Sequence, residues 1–380
     1  IAAGYDFSLA VDTQGRVYAF GRNNVGQIGV GKVSSYLDDG GVEKLYATPT
    51  EVKLFADYGV KIADVYTGVV VTGSGEKQSV AYATSDKGDL FLWGSGAASQ
   101  LGGSVPVSLP SYIPEANIVD VATTNYGTSD TRALNERGTM VDWDRSNHVT
   151  YLINQTNGGM GDVPAGERAV ELNSGYGSLF LTTTGAGTSH TYVKGSQAYG
   201  QLGNGSTSGT NVETLQYNSA LDGAQWVGGG QSTMALYHAA DGLDDTVKAT
   251  GYNLTGELGI GTYGTANSQN TMRSVWAGET DPDGTLNNTI RDVVAVGNSR
   301  LNDNGQTRAS GLSAAIIGNG DVFTWGANDY GQLGKLSIGR DPITGKAFSE
   351  YPVQTYSLRM NLAYAGQEHD RQGGGKTVHM

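Results

Sequence analysis

One phrase of ten residues recurs along this chain and constrains its fold more than any other feature. Trp325–Gly334 reads WGANDYGQLG, and Phe20–Gly29 reads FGRNNVGQIG. Further copies span Gly195–Gly203 and Gly251–Gly259, and a less regular copy spans Gly94–Gly102. A phrase that returns at long intervals indicates one supersecondary unit used several times. The chain is therefore predicted to be a repeat protein.

Each phrase follows two short apolar runs separated by a turn sequence that contains glycine. Polar residues paired with glycine between alternating runs predict β-hairpins, because glycine adopts positive φ without steric cost. The predicted hairpin strands are Ser8–Val11 with Val17–Phe20, Val80–Thr84 with Leu90–Trp93, Thr131–Leu134 with Met140–Trp143, Leu179–Thr182 with Thr191–Val193, Met234–Tyr237 with Val247–Ala249, and Ser313–Ile317 with Val322–Trp325. A further apolar strand that mostly ends in glycine precedes each hairpin, for example Ile62–Gly68.

The anchor glycines of the phrase leave one interval, from Gly94 to Gly195, that is too long for a single repeat. A degenerate copy fits between them, with Asp144 in place of the anchor glycine. About four short strands per unit predict an all-β propeller, with seven blades or alternatively six, rather than a sandwich or a solenoid. The chain is interpreted as one domain, 1–380, with repeats at roughly 1–60, 61–116, 117–167 (degenerate around 118–160), 168–224, 225–289, 290–360 and a partial 361–380.

The phrase itself suggests a structural role for its residues. Bulky residues before the anchor glycine are expected to fill space between blades, leucines to plug apolar gaps, and amide side chains to satisfy the backbone of the turn. Glu257 replaces the glutamine once, which keeps an acceptor and loses the amide donor. The predicted structural residues are Gly21, Gly26, Gln27, Gly29, Trp93, Gly94, Gln100, Leu101, Gly195, Gln201, Leu202, Gly251, Leu258, Trp325, Gly326, Gln332 and Leu333.

These phrases resemble the repeat of the regulator of chromosome condensation family over nearly the whole chain. The resemblance implies a seven-bladed propeller of bacterial type. Some members of that family are nucleotide-exchange factors for small GTPases, and some bacterial members are secreted protein inhibitors. The histidine that the family tends to place three residues after the first-strand glycine is matched here only by His369. No GTPase contact or catalytic residue is therefore carried over.

Composition narrows the classes of function. The formal net charge is −13, which disfavours binding to a phosphate backbone, and no apolar run is long enough for a membrane helix. The chain has no cysteine and is rich in Gly, Ser, Thr and Asn, which favours a bacterial surface or secreted protein over a cytoplasmic one. Because Ile1 is not an initiator methionine, the sequence is expected to begin inside a longer precursor or after processing.

Catalytic and metal-binding patterns are weak. The five histidines are scattered over different repeats, and no nucleophile elbow or phosphate loop is present, so no enzyme activity and no cofactor are predicted. Two acidic glycine loops are weak calcium candidates, through Asp281 and Asp283 and through Asp241, Asp244 and Asp245. The twelfth position of the first loop is Asp292 where a glutamate is required, so a solvated turn is the favoured interpretation.

The long loops and the tyrosines in or near turns are the features that differ most from one repeat to the next. The long loops are Lys32–Pro49, Ser104–Glu115, Thr262–Asn288, Asn298–Gly311 and Lys335–Pro352, and the tyrosines in or near turns are Tyr199, Tyr252, Tyr263, Tyr330, Tyr351 and Tyr356. Tyrosine suits both binding surfaces and blade packing, and both interpretations stay open. The leading hypothesis is a non-enzymatic, extracellular scaffold that binds a protein partner or builds an assembly. The alternatives are a glycan-binding or calcium-dependent lectin or enzyme, and an exchange factor or inhibitor of a specific enzyme.

The last repeat lacks a hairpin return within the sequence. Asn361–Met380 supplies a first strand and the start of a second. Unpaired strand edges recruit partners, so this segment is expected to pair outside its own repeat, with Ile1–Val11 or with a neighbouring subunit.

Overall fold

The computed structural model describes residues 1–4, 6–33, 45–71, 77–95, 107–113, 117–123, 131–143, 149–151, 166–175, 177–185, 187–238, 245–275, 290–296, 301–303, 306–308, 311–317, 320–328, 331, 333–334 and 348–355. The contacts divide the chain into two compact units. Unit 1 comprises Ile1–Ser196 with Thr210–Gly223, and unit 2 comprises Gln197–Gly209 with Ala224–Met380.

Unit 1 contains four antiparallel sheets of four strands, and the strands of each sheet follow chain order. The first sheet is β1 (Ala2–Ala3), β2 (Phe7–Val11), β3 (Val17–Gly21) and β4 (Tyr46–Glu51); the second is β5 (Ile62–Val71), β6 (Lys77–Ser85), β7 (Leu90–Gly94) and β8 (Val107–Ile113); the third is β9 (Ile118–Thr123), β10 (Thr131–Asn135), β11 (Met140–Trp143) and β12 (Val149–Tyr151); the fourth is β13 (Arg168–Ser174), β14 (Ser178–Gly185), β15 (Thr188–Gly195) and β16 (Val212–Tyr217). A short helix α1 (Lys53–Asp57) and a 3-10 turn at Ser219–Leu221 follow β4 and β16.

Unit 2 contains two further four-stranded sheets and one two-stranded sheet. The fifth sheet is β17 (Trp226–Gly229), β18 (Ser232–Tyr237), β19 (Thr246–Gly251) and β20 (Gln269–Ser274); the sixth is β21 (Ile290–Val296), β24 (Leu312–Ile317), β25 (Val322–Ala327) and β26 (Phe348–Gln354); β22 (Leu301–Asp303) and β23 (Gln306–Arg308) form the hairpin inserted after β21. A 3-10 turn at Thr265–Asn267 precedes β20. The all-β propeller architecture predicted from the repeats is confirmed.

All six predicted hairpins are present, with strands that extend the predicted ones by at most a few residues. The fourth strand of each sheet was not located from the sequence. Four of these strands, β4, β8, β20 and β26, lie wholly or partly in segments that were predicted as loops. They pair on one side only, and their side chains are largely half-buried or exposed. An edge strand with so little apolar character is not distinguished from a loop by its sequence pattern.

The expected blade numbers require correction. Five of the four-stranded sheets end their third strand on or next to an anchor glycine of the phrase, and the third sheet is the degenerate one. The described residues therefore show five phrase-anchored blades and one degenerate four-stranded sheet, where seven blades, one of them degenerate and one incomplete, or alternatively six blades were expected. The partial repeat at 361–380, with its proposed pairing, and Asp144 lie outside the described residues.

Apolar side chains form cores between successive sheets. In unit 1, one cluster joins the first and second sheets around Leu9, Ile28 and Trp93, and further clusters join the second to the third and the third to the fourth. In unit 2, Met234, Leu258 and Trp325 belong to one cluster between the fifth and sixth sheets. Burial of apolar area between neighbouring sheets is thus the main stabilising contribution, as in other repeat architectures.

The recurrent phrase is the turn that leaves the third strand of one sheet and packs on the next sheet. Trp93 of β7 donates its indole N–H to the backbone oxygen of Gln27 at 2.9 Å. In unit 2, Ser313 of β24 donates to the backbone oxygen of Glu257 at 2.8 Å. The anchor glycines have φ between +101° and +113°, a range that residues other than glycine rarely adopt. They are Gly21, Gly94, Gly195, Gly251 and Gly326. The phrase therefore encodes an inter-sheet joint.

Candidate interaction surface

The turns of the fourth and fifth repeats are tied together into one rigid surface within unit 2. The backbone N–H of Gly205 donates to the backbone oxygen of Asn270 at 2.8 Å. The side-chain N–H of Asn270 donates to the backbone oxygen of Gly205, also at 2.8 Å. Asn253 donates its side-chain N–H to the Thr262 oxygen at 2.9 Å. These bonds fix the loops at 197–209 and 251–270 against β20.

Four aromatic side chains lie on this surface as two pairs. Tyr199 and Tyr252 contact each other edge to face with ring centroids 5.1 Å apart. Tyr263 and Phe348 are 4.8 Å apart. Tyr199 is 36% exposed and Tyr263 is 46% exposed, whereas Tyr252 is 6% exposed. We call these four residues and the loops 197–209 and 251–270 the tyrosine surface.

Backbone bonds connect the two pairs. Gly264 donates to the Leu254 oxygen at 3.1 Å, and Leu254 lies two residues beyond Tyr252. Asn267 donates its side-chain N–H to the Tyr263 oxygen at 2.7 Å. The exposed rings are therefore held in place by the same turns that pack against the sheets, and binding would order few additional groups.

The tyrosine surface is uncharged although the chain carries a net charge of −13. Its two loops contain one side chain that is charged at neutral pH, Glu257. Glu257 is 1% exposed and its carboxylate accepts the N–H and the hydroxyl of Thr255 at 2.8 and 2.7 Å. The surface thus offers aromatic rings, amides and hydroxyls without the desolvation cost of exposed charges.

The predicted structural residues take positions inside the joints. Gln27, Trp93, Gln201, Leu202, Leu258 and Trp325 are each 0% exposed, and Leu333 is 2% exposed. The glycines Gly26 and Gly29 have φ of +82° and +77°. Gln100, Leu101 and Gln332 lie outside the described residues. Among the predicted tyrosines, Tyr351 is half-buried and Tyr330 and Tyr356 lie outside the described residues.

The calcium candidates are not brought together in the part of the chain that the structure describes. Asp241, Asp244, Asp281 and Asp283 lie outside it. Asp245 is 5% exposed, accepts the N–H of Ile290 at 2.6 Å and faces the His238 Nδ1 at 3.0 Å. That carboxylate therefore joins the fifth and sixth sheets. No group of three or more potential metal ligands occurs among the described side chains.

Two other clusters of titratable groups lie in unit 1. A polar cavity of about 350 Å³ is lined by Asp64, Lys87, Asn117 and Glu136, among others. Nearby, burial raises the pKa of Asp120 to about 6, with a further contribution from Asp64. Asp120 accepts the N–H of Leu172 in the next sheet at 2.9 Å, which is a structural bond.

The second cluster surrounds Glu167, which is 8% exposed. Its carboxylate accepts from the Thr183 hydroxyl, faces His190 Nδ1 at 2.7 Å and lies 3.4 Å from the Tyr192 hydroxyl. A carboxylate paired with a histidine can orient a general base. Here the carboxylate joins β14 and β15 to the residue before β13, which indicates a clamp at the end of the sheet.

Sequence reasoning missed two repeated polar positions. The asparagine two residues after the anchor glycine accepts the N–H of the plug residue in three repeats: Asn23 from Ile28 at 3.0 Å, Asn253 from Leu258 at 3.1 Å and Asn328 from Leu333 at 3.0 Å. The first strands of three repeats read Ile-x-Asp-Val and place Asp64, Asp120 and Asp292 at a β-bulge. Both positions could have been found from the sequence, because the asparagine stands at a constant distance from the anchor glycine and the aspartate at a constant position in the first strand.

No helix in the described ranges has the length and hydropathy that a membrane crossing requires.

Comparisons with known proteins agree on the repeat and on the fold. Two family profiles, both described as the regulator of chromosome condensation (RCC1) repeat, match residues 1–27 and 319–363. The human E3 ubiquitin-protein ligase HERC2 is 28% identical over 150 residues, which is 39% of this chain and 3% of HERC2. The chain thus spans a small fraction of that relative.

Solved structures extend the similarity to almost the whole chain. Human WBSCR16 has a TM-score of 0.66 and 16% identity, with 94% of this chain and 81% of that chain covered. Prp20p from Saccharomyces cerevisiae has a TM-score of 0.63 and 18% identity, with 94% and 76% covered. At these identities the similarity establishes the fold.

Proposed function

We propose that this chain, a β-propeller assembled from regulator of chromosome condensation repeats, is a non-enzymatic scaffold that binds a protein partner through the tyrosine surface. The observation that carries the proposal is the pair of exposed rings, Tyr199 and Tyr263, in an uncharged surface of an acidic chain. Tyrosine supplies a large contact area with few rotatable bonds, and it is enriched where partners contribute most of their binding energy.

The rigidity of the loops supports this function. Binding energy is lost when loops must be ordered at the interface. Here the loop at 197–209 is bonded to Asn270 in both directions, and the turn at Gly264 is bonded to Leu254. A surface that is already ordered retains more of the contact energy.

The relatives support a binding role. The Prp20p structure is described together with the binding of that protein to Gsp1p and histones. The ligase activity in the name of HERC2 belongs to a protein of which this chain matches 3%. We therefore propose binding as the function, and we propose a bacterial surface or extracellular setting from the composition alone, with the cytoplasm as the alternative.

The function is tested by two tyrosine substitutions on this surface and one elsewhere. Tyr199→Ser combined with Tyr263→Ser is expected to weaken the complex with a partner, identified by quantitative co-purification, at least tenfold, or about 1.4 kcal/mol. Tyr58→Ser is the control, because Tyr58 is 78% exposed and lies at the end of α1 in unit 1. Equal affinities of the double variant, the control and the wild type, measured by titration calorimetry, would reject the proposed surface.

A further inference from the structure

The side chain of Gln201 lies beneath the tyrosine surface, and only one of its two polar atoms forms a hydrogen bond within the described part of the chain. Gln201 is 0% exposed, and its Oε1 accepts the backbone N–H of Tyr199 at 2.9 Å. Its Nε2 has no hydrogen-bond partner among the residues that the structure describes. A buried amide N–H without an acceptor is costly, so such groups are usually matched by a protein group, a water or a ligand.

The first repeat shows how the same amide is satisfied. Gln27 occupies the corresponding position, and its Oε1 accepts the N–H of Val25 at 2.9 Å. Its Nε2 donates to Asn24 Oδ1 at 2.9 Å and to Asp6 Oδ1 at 3.3 Å. Both acceptors are side-chain oxygens, one from a carboxamide and one from a carboxylate.

The fourth repeat lacks both acceptors. The residue after the anchor glycine donates its N–H to the oxygen of Asp6 in the first repeat, at 2.9 Å, and to that of Gly177 in the fourth, at 2.8 Å. This shared bond identifies Gly177 as the match of Asp6, and Ala198 is the match of Asn24. Neither residue has a side-chain oxygen. The Gln201 Nε2 thus lacks a partner in the described ranges because glycine stands in place of Asp6 and alanine in place of Asn24.

We infer that the Gln201 amide is a subsite of the tyrosine surface and that its Nε2 donates a hydrogen bond to a side-chain oxygen of an aspartate or asparagine from the partner. Gln201 is fixed by the backbone of Tyr199, whose ring is exposed and packs on Tyr252. In the inferred complex, the partner oxygen accepts from Gln201 Nε2 as the Asn24 and Asp6 oxygens accept from Gln27 Nε2. The inference rests on the proposed function and adds the chemistry of the partner residue.

The experiment observes the Gln201 side-chain NH₂ resonances by NMR in protein labelled with ¹⁵N at glutamine amides. The probes are the N-acetyl N-methylamides of asparagine, aspartate and leucine. The asparagine probe, the aspartate probe or both are expected to shift the Gln201 resonances, and the leucine probe is expected to leave them in place. The relative size of the first two shifts distinguishes a carboxamide from a carboxylate ligand.

Two variants test the assignment. Ala198→Asn supplies the acceptor that Asn24 supplies in the first repeat and is expected to abolish the shifts while raising the melting temperature. Gln201→Glu removes the donor and keeps the acceptor, an arrangement that Glu257 already adopts in the fifth repeat. It identifies the Gln201 resonances by their loss. Absence of shifts in the wild type, or shifts that persist in Ala198→Asn, would overturn the inference. A buried water would then be the group that satisfies the Gln201 amide.

The outcome is separable from that of the proposed function. Loss of partner affinity in the tyrosine double variant, with unchanged affinity in Ala198→Asn, rejects the amide subsite alone. Unchanged affinity in the tyrosine double variant rejects the surface itself.

Discussion

The indole N–H of Trp325 donates to the backbone oxygen of Glu257 at 2.9 Å, across the boundary between two sheets. The equivalent bond in unit 1, from Trp93 to Gln27, has the same length. In both cases a tryptophan before one anchor glycine holds the turn of the preceding phrase. The joint therefore combines a buried aromatic ring with a directional hydrogen bond.

Trp325→Phe is expected to destabilise the protein because it removes this donor and leaves the Glu257 oxygen with fewer partners. The expected cost is about 1–3 kcal/mol for the lost bond, with an additional packing cost. The measurement is the urea midpoint followed by circular dichroism. Trp226→Phe serves as the control, because Trp226 is only partly buried against the same core. Equal midpoint shifts for the two variants would show that the bond contributes nothing.

Leu333→Ala is expected to cost roughly 2–5 kcal/mol in the free energy of unfolding, since the side chain is fully enclosed. Leu333 is 2% exposed, and its N–H is bonded to Asn328. The comparison is Leu109→Ala, in which the replaced side chain is 43% exposed. If both variants unfold at the wild-type denaturant concentration, the leucine does not plug a gap.

Gly200→Ala is expected to be more destabilising than Gly205→Ala, although the two glycines have nearly equal φ, +79° and +82°. A Cβ on Gly200 would lie 2.3 Å from the Gln269 oxygen, whereas a Cβ on Gly205 meets no atom within 4 Å. Backbone strain, about 1–2 kcal/mol, is common to both, so the difference measures the close packing of the turn on β20. Thermal midpoints of the two variants decide the question, and identical values would contradict a tight joint.

The pH dependence of stability is expected to carry a contribution from Asp120. Its folded pKa of about 6 lies above the unfolded value of about 3.9, so the folded state binds the extra proton between these values. This contribution stabilises the fold below about pH 4 and is lost as the pH rises through about 6. The unfolding free energy of the wild type relative to Asp120→Asn should fall by up to about 3 kcal/mol across that window. Denaturation curves at several pH values check this, and a constant difference would refute it.

The hairpins could be predicted because their turns carry glycine and their strands alternate in polarity, as in Val17–Gly21. The fourth strands could not be predicted, because a strand such as Tyr46–Glu51 has little apolar character and is identified only by its hydrogen-bonded pairing with the third strand. Both Tyr199 and Tyr252 lie in the phrase, and the sequence did not show which of them is buried; the structure places the two rings in contact, with Tyr252 6% exposed and Tyr199 36% exposed. The asparagine at Asn23, Asn253 and Asn328 was visible as a constant offset and was overlooked among many polar turn residues.

The turn at Gln197–Gly209 belongs to the fourth repeat by sequence and to unit 2 by its contacts. The structural module is thus out of phase with the sequence module by the length of one turn. A chimera cut at a repeat border would separate this turn from the sheet on which it packs. A cut next to the anchor, between Ser196 and Gln197, would keep the turn with β20 but would separate β16 from the other three strands of the fourth sheet. No single cut at either place therefore keeps both the fourth sheet and the contacts of this turn within one parent.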